Sequence, residues 1–187
     1  MLSQFLSHSL IKWLVVAVIV GLGSYVAYKG YFRIRHKMTK QTKQERNELF
    51  ANKPAPDLTG TTHEGKKWSL QSQRGKNVII VFWASWCRGC VKEIPFVMKS
   101  AEVLQGDPDT ILVSVNLDKD PDKARSLIKE KGIVYPVLID EKNLGMKSDF
   151  ARAFDIYGIP SIWVIDKEGM VKGQRLRHIK EAIEILH

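Results

Sequence analysis

Apolar positions fall along this chain in three patterns. The first is an uncharged run, WLVVAVIVGLGSYVA, at residues 13–27. Taken from Leu10 to Phe32 it is long enough to cross a bilayer, with Lys12 and Lys29 near its ends able to snorkel. Tyr25, Tyr28, Tyr31 and Phe32 suit an interfacial belt. The competing reading is a cleaved signal peptide. An uncleaved anchor is preferred because the run is long for such a signal and no clear A-x-A site follows it. The second pattern is four short runs rich in β-branched residues: VIIVFW at 78–83, ILVSV at 111–115, YPVLI at 135–139 and SIWVI at 161–165. Runs so continuous predict strands buried on both faces of a parallel or mixed sheet.

The third pattern is helical. Val91, Ile94, Met98, Ala101 and Leu104 recur at three or four residues and predict one helix; Ala124, Leu127, Ile128 and Lys131 predict a second. Asp120 is placed to cap the second helix, Pro121 to open it and Gly132 to end it. Ile179, Ala182, Ile183 and Leu186 predict a terminal helix. THEG at 62–65 predicts a hairpin turn with Trp68 and Leu70 on one face, and DKEG at 166–169 a turn into a strand from Met170. The whole predicts an α/β domain: a mixed sheet flanked by helices, with right-handed crossovers in its parallel part. The expected organisation is a tail at 1–9, a transmembrane anchor at 10–32, a basic linker at 33–52 and one domain at 53–187, entered through KPAPDL at 53–58.

Charge changes this picture in one respect. The 187 residues carry 29 Lys and Arg against 20 Asp and Glu, a net charge of +9. Residues 1–53 hold nine of those cations and two acids, so the remaining 134 residues are nearly neutral. A basic face that tracks phosphates would have to lie on the folded part, and nucleic acid is therefore excluded as the expected partner. The basic stretch RIRHKMTKQTKQERNE is instead suited to anionic lipid headgroups, or is a plain solvated linker or juxtamembrane helix; both readings stand.

The two cysteines, too few for a disulfide-stapled miniprotein, fall in one motif: Trp86-Cys87-Arg88-Gly89-Cys90. It joins a strand pattern to a helix pattern. A cysteine at a helix N-terminus meets unpaired N–H groups and the positive end of the macrodipole, which favour the thiolate; Arg88 pushes the same way. The second cysteine lies about one turn on, within reach of a mixed disulfide formed at the first. A zinc site would need two further ligands, and the histidines at 63, 178 and 187 show no ligand spacing. The expectation is a dithiol/disulfide couple.

The stretch VFWASWCRGCVKEIP at 81–95 closely resembles the active-site segment of thioredoxin-fold proteins. Its W-C-x-x-C-x-x-E-x-P form is similar to the membrane-anchored TlpA/ResA-type thiol-disulfide oxidoreductases, which include the cytochrome c maturation reductases. FDIYGIPSIWVIDKEGMV at 154–171 resembles the family's cis-proline segment, and NLDKDPDKARSLIKEKGIVYPVLID at 116–140 its strand-helix-strand insertion. The resemblance covers roughly 53–187. It implies that Cys87 is the exposed nucleophile and Cys90 the resolving thiol of a redox-active disulfide. It also implies that Trp86 shields that disulfide, and that Ile159 and the cis-proline Pro160 face the cysteines and pair with an extended substrate. Glu93 matches an acid that tunes the pair and relays protons in that branch; read from the residues alone it is a plain first-turn helix acid, and the two readings are even. Pro95 is expected to kink the helix. The dipeptide between the cysteines is Arg-Gly where the family often has a proline, which favours the reduced form and makes the couple more oxidising.

The resemblance implies no cofactor and no metal. It implies protein disulfide substrates, apocytochrome c among the candidates, and a transmembrane thiol donor. A thiol peroxidase would share the fold, but it would need a threonine at position 84, where this chain has alanine. A thioredoxin-like copper carrier would call for CxxxC with a distant histidine. Location is contested between two signals. The resemblance implies the periplasmic side of the inner (cytoplasmic) membrane, whereas Lys29, Arg33, Arg35, Lys37, Lys40, Lys43 and Arg46 after the apolar run argue for the cytoplasmic side. The periplasmic side is preferred.

Overall fold

The computed structural model describes residues 21–38, 49–140, 142 and 145–186. The chain divides into two compact units, residues 1–48 and 49–187. In the first, residues 21–38 are helical (α1). Among the described residues no helix is long and apolar enough to cross a membrane. The tail at 1–9, the first half of the apolar run (10–20) and most of the basic linker (39–48) lie outside them.

The second unit is built on a five-stranded sheet of order β5-β4-β3-β6-β7. Its strands are β3 Asn77–Trp83, β4 Thr110–Asn116, β5 Val137–Ile139, β6 Ser161–Ile165 and β7 Val171–Leu176. β3 pairs parallel with β4, and β4 with β5. β3 pairs antiparallel with β6, and β6 with β7. The parallel pairs need crossovers, supplied by α2 (Arg88–Leu104) and α3 (Pro121–Lys131). A separate antiparallel hairpin, β1 Thr59–Thr61 with β2 Lys67–Ser69, closes through the expected turn, with Gly65 at φ 83°. A short α4 (Asp149–Ala153) precedes β6, and α5 (Ile179–Leu186) ends the described chain.

β3 lies in the middle of the sheet, and its alternating side chains feed two cores. Ile79, Val81 and Trp83 face a cluster with Ile94 and Val97 of α2, Ala124 and Ile128 of α3, and Ile179 and Ala182 of α5. Val78, Ile80 and Phe82 face Phe154, Trp163 and Leu58 on the other side. Phe154 sets its ring edge-on to Trp163 at 5.0 Å. Burial on both faces is why the strand reads as an unbroken apolar run. The buried side of α2 is Cys90, Glu93, Ile94, Val97 and Ala101, whereas Val91, Met98 and Leu104 are only half-buried. The apolar stripe is thus rotated slightly from the expected one, because the buried face begins at Cys90.

The ends of α3 follow the sequence. The Asp120 carboxylate accepts from the Asp122 N–H, Pro121 opens the first turn, and Gly132 takes the left-handed conformation at φ 64°. Asp120→Ala is expected to cost about 1 kcal/mol, because it orphans that N–H and removes a negative charge from the helix N-terminus. A urea titration that leaves the midpoint in place would contradict this.

Candidate active site

The site is held where β3 runs into α2. After Trp83 the chain turns through Ala84, Ser85 and Trp86, and Cys87 is the N-cap of α2 in extended conformation. A buried carboxylate pins this turn to the end of β4. Asp118 accepts from the Ser85 N–H at 2.8 Å, the Ser85 hydroxyl at 2.8 Å and the Asn116 amide at 2.8 Å. The Asp118 N–H returns a bond to Asn116 at 2.9 Å, and the Leu117 N–H donates to the Trp83 carbonyl at 2.8 Å. Four charge-assisted or backbone bonds around one buried acid fix the loop that delivers Cys87. No spacing signature in the sequence links Ser85 to Asp118, 33 residues away.

Cys87 and Cys90 are joined as a disulfide with Cα atoms 5.2 Å apart. The backbone N–H of Cys90 donates to Cys87 Sγ at 3.2 Å. That places one of the helix's orphan donors on the first sulfur, the arrangement that stabilises a thiolate there once the bond is reduced. Cys87 was expected to be exposed. In the oxidised form it is 8% exposed and Cys90 2%, so Cys87 is the more reachable sulfur but sits sheltered. Trp86, expected to shield the pair, is itself 61% exposed, and Arg88 and Gly89 are exposed beside it.

The segment before β6 closes over the cysteines. Ile159–Pro160 is a cis peptide, and the Ile159 carbonyl oxygen lies 3.6 Å from Cys87 Sγ. A Cβ at Gly89 would stand 3.5 Å from Pro160 Cδ, ordinary van der Waals contact. The structure therefore brings Ile159 and Pro160 to the disulfide, 72 residues along the chain from Cys87 to Ile159. Arg177 secures this segment from β7's end, with Nη1 donating to the Pro160 carbonyl at 2.7 Å.

Glu93 stands in the second turn of α2, one turn later than expected, and it is buried at 8% exposure. Its Oε1 accepts from the Ile179 N–H at 2.8 Å and its Oε2 meets His178 Nδ1 at 3.1 Å. Glu181 takes the N–H groups of His178 and Arg177 at 2.8 and 3.1 Å. The N-terminus of α5 is thus capped by two carboxylates, one of them supplied by the active-site helix. His178, dismissed as a ligand from spacing alone, is the partner of this acid. Pro95 lies inside α2 on its exposed side, where it deletes one N–H from the helix ladder.

The arrangement can do one kind of chemistry well. Two sulfurs at a helix N-terminus can store and release an electron pair, and the cis-peptide segment places the Ile159 carbonyl against Cys87 Sγ.

Comparison with known proteins follows the same line. The AhpC/TSA family matches residues 51–174, about two thirds of the chain. Thiol-disulfide oxidoreductase ResA of Bacillus thuringiensis is 27% identical over 179 residues, spanning 94% of this chain and 92% of that protein. Thioredoxin-like protein YneN of Bacillus subtilis is 26% identical over 162 residues, spanning 86% and 87%. The solved thioredoxin domain of a thiol-disulfide oxidoreductase from Bacteroides vulgatus aligns with a TM-score of 0.64 at 25% identity, covering 73% of this chain and 95% of that one. StoA from Bacillus subtilis aligns with a TM-score of 0.57 at 25% identity, covering 73% and 99%. The fold is thioredoxin-like.

Proposed function

This chain belongs to the AhpC/TSA family, and from that premise we propose that it is a protein thiol-disulfide oxidoreductase of the ResA type. The observation that carries the proposal is the Cys87–Cys90 disulfide at the N-terminus of α2, with the Cys90 N–H on Cys87 Sγ and the Ile159 carbonyl against that same atom. In the reduced enzyme the Cys87 thiolate attacks a substrate disulfide, forming a mixed disulfide and releasing one substrate thiolate. The Cys90 thiol, on losing its proton, displaces the second substrate thiolate and regenerates the Cys87–Cys90 bond. Two electrons and two protons pass to the substrate, and an external dithiol must return them. A transmembrane thiol carrier is the donor we propose, and apocytochrome c a candidate client. Peroxide chemistry is disfavoured by Ala84, which is fully buried and offers no hydroxyl.

The proposed setting is the periplasmic face of the inner membrane, with the apolar run from Leu10 to Phe32 as a single-pass anchor and contact with lipid along the basic stretch. In support, Leu22, Tyr25, Val26, Tyr28, Tyr31 and Phe32 of α1 are all exposed, an apolar surface that suits hydrocarbon and headgroups better than water. The full chain is expected to accelerate the reduction of insulin disulfides by dithiothreitol. A reporter fused after His187 is expected to be active only when exported. No acceleration would dispose of the oxidoreductase reading, and a cytoplasmic reporter signal of the periplasmic one.

A further inference from the structure

The charges around the disulfide are unevenly satisfied. The acids on the elements that build the site are engaged: Asp118 by Ser85 and Asn116, Glu93 by Ile179 and His178, Glu181 by the N–H groups of Arg177 and His178, and Asp155 by Arg175. The cations are different. Arg88, between the two cysteines, is exposed and has no partner among the described residues. Arg177 is exposed and spends one donor, Nη1, on the Pro160 carbonyl. Its guanidinium lies over Gly158, where a Cβ would stand 3.3 Å from Nη2, and Nη2 and Nε have no partner among the described residues. One bond thus holds the fork beside the backbone segment that touches Cys87 Sγ, with its remaining N–H groups open for a carboxylate.

We infer that Arg177 and Arg88 form an anion-reading pair flanking the disulfide, and that the enzyme selects protein disulfides whose cysteines are bordered by acidic side chains. This rests on the oxidoreductase reading above and narrows its substrate class. The two cations come from the two elements that meet at the disulfide, Arg88 from the first turn of α2 and Arg177 from just after β7, where it holds the Pro160 carbonyl. The N-terminal end of the α2 dipole adds positive potential at the same place. Arg177 has a positioning share as well, because its bond to the Pro160 carbonyl holds the segment that the substrate would meet. Charge so placed acts on encounter and register more than on the chemical step, so it should show in kcat/KM and in salt dependence.

The test uses the full chain and three synthetic peptides, each closed by one intramolecular disulfide and differing only in the residues flanking the cysteines: Asp, Gln or Lys. Dithiothreitol is the reductant. At about 20 mM salt the acidic peptide is expected to exceed the basic one in kcat/KM by about tenfold, and the gap should narrow several-fold at about 300 mM. In Arg88→Gln/Arg177→Gln the ratio should approach one. In Arg177→Lys part of the preference should survive, since charge is kept and only the fork is lost. Because the readout is a ratio within one preparation, poor folding of a variant cannot imitate the result. Equal turnover of all three peptides by the parent would overturn the inference while leaving the oxidoreductase reading intact. A preference that persists in the double variant would overturn it too. Failure of the parent on every peptide would remove the reading beneath it.

Discussion

Replacing Cys87 with serine is expected to lower insulin reduction by at least about a thousandfold, because a hydroxyl at this position cannot become the nucleophile. The reason lies in what surrounds the sulfur. Cys87 is the N-cap of α2, and the Cys90 N–H points at its Sγ from 3.2 Å. A thiolate there is held by that donor, by the dipole and by the charge of Arg88, whereas a serine oxygen would stay protonated at any working pH. Cys90 has none of these advantages: it is 2% exposed and packed among Ile94, Val97 and Ile79. Cys90→Ser should therefore keep the first step and lose the second, accumulating a covalent enzyme–substrate species on Cys87 that non-reducing electrophoresis separates. In the reduced parent at neutral pH, iodoacetamide should label Cys87 first and faster than it labels free cysteine, whose pKa is about 8.5. Parental turnover by the Cys87 variant, or earlier labelling of Cys90, would reverse the assignment of roles.

The legibility of this site in the sequence was uneven for physical reasons. The cysteine pair could be read because both partners lie within one turn of one helix, between two strong periodic patterns. β3, β4 and β6 are legible because burial on both faces keeps them almost wholly apolar; their buried serines, Ser114 and Ser161, are small and accept from the indole N–H groups of Trp83 and Trp163. The run expected for β5, 135–139, is two residues longer than the strand: Tyr135 and Pro136 precede it, and Pro136 has no N–H to pair although its carbonyl accepts from the Ser114 N–H at 2.9 Å. α3 announced both its ends through Asp120, Pro121 and Gly132. α4 was not read at all. It is five residues long with only Ala151 buried, so no period can establish itself, and its one signal is Ser148, whose hydroxyl accepts from the Ala151 N–H at 3.1 Å. Pro160 came to notice through family resemblance, since nothing local in GIPS says that its segment will face Cys87. Asp118, Arg177 and His178 carry no local signal of their place in the site, because the contacts that put them there are with Ser85, Pro160 and Glu93, 33, 17 and 85 residues away. The contact between Glu93 and His178 spans 85 residues, and tertiary pairing at that distance leaves no pattern in a single sequence.

Glu93 links the active-site helix to α5. From sequence, a relay acid and a plain helix acid were equally good readings. The structure adds a third role: the carboxylate ties the active-site helix to α5 by capping Ile179 and holding His178. Glu93→Ala should cost about 2–3 kcal/mol, since it leaves a buried N–H without a partner and opens space in a packed interface. In urea that corresponds to a midpoint lower by roughly 1–2 M at unchanged slope. Glu93→Gln separates the cap from the charge. Its amide oxygen can still accept from the Ile179 N–H, and its NH2 can donate to Nδ1 of a neutral His178, so the loss should stay below about 1 kcal/mol. If Gln matches the parent in both stability and turnover, the acid serves the fold alone. If Gln is stable but turnover falls and its pH profile moves, the carboxylate also handles protons for the cysteines one turn away. An alanine variant as stable as the parent would mean that α5 is held by its other contacts, Ile179 and Ala182 in the core and Glu181 at its own N-terminus, and that the link between the two helices is incidental.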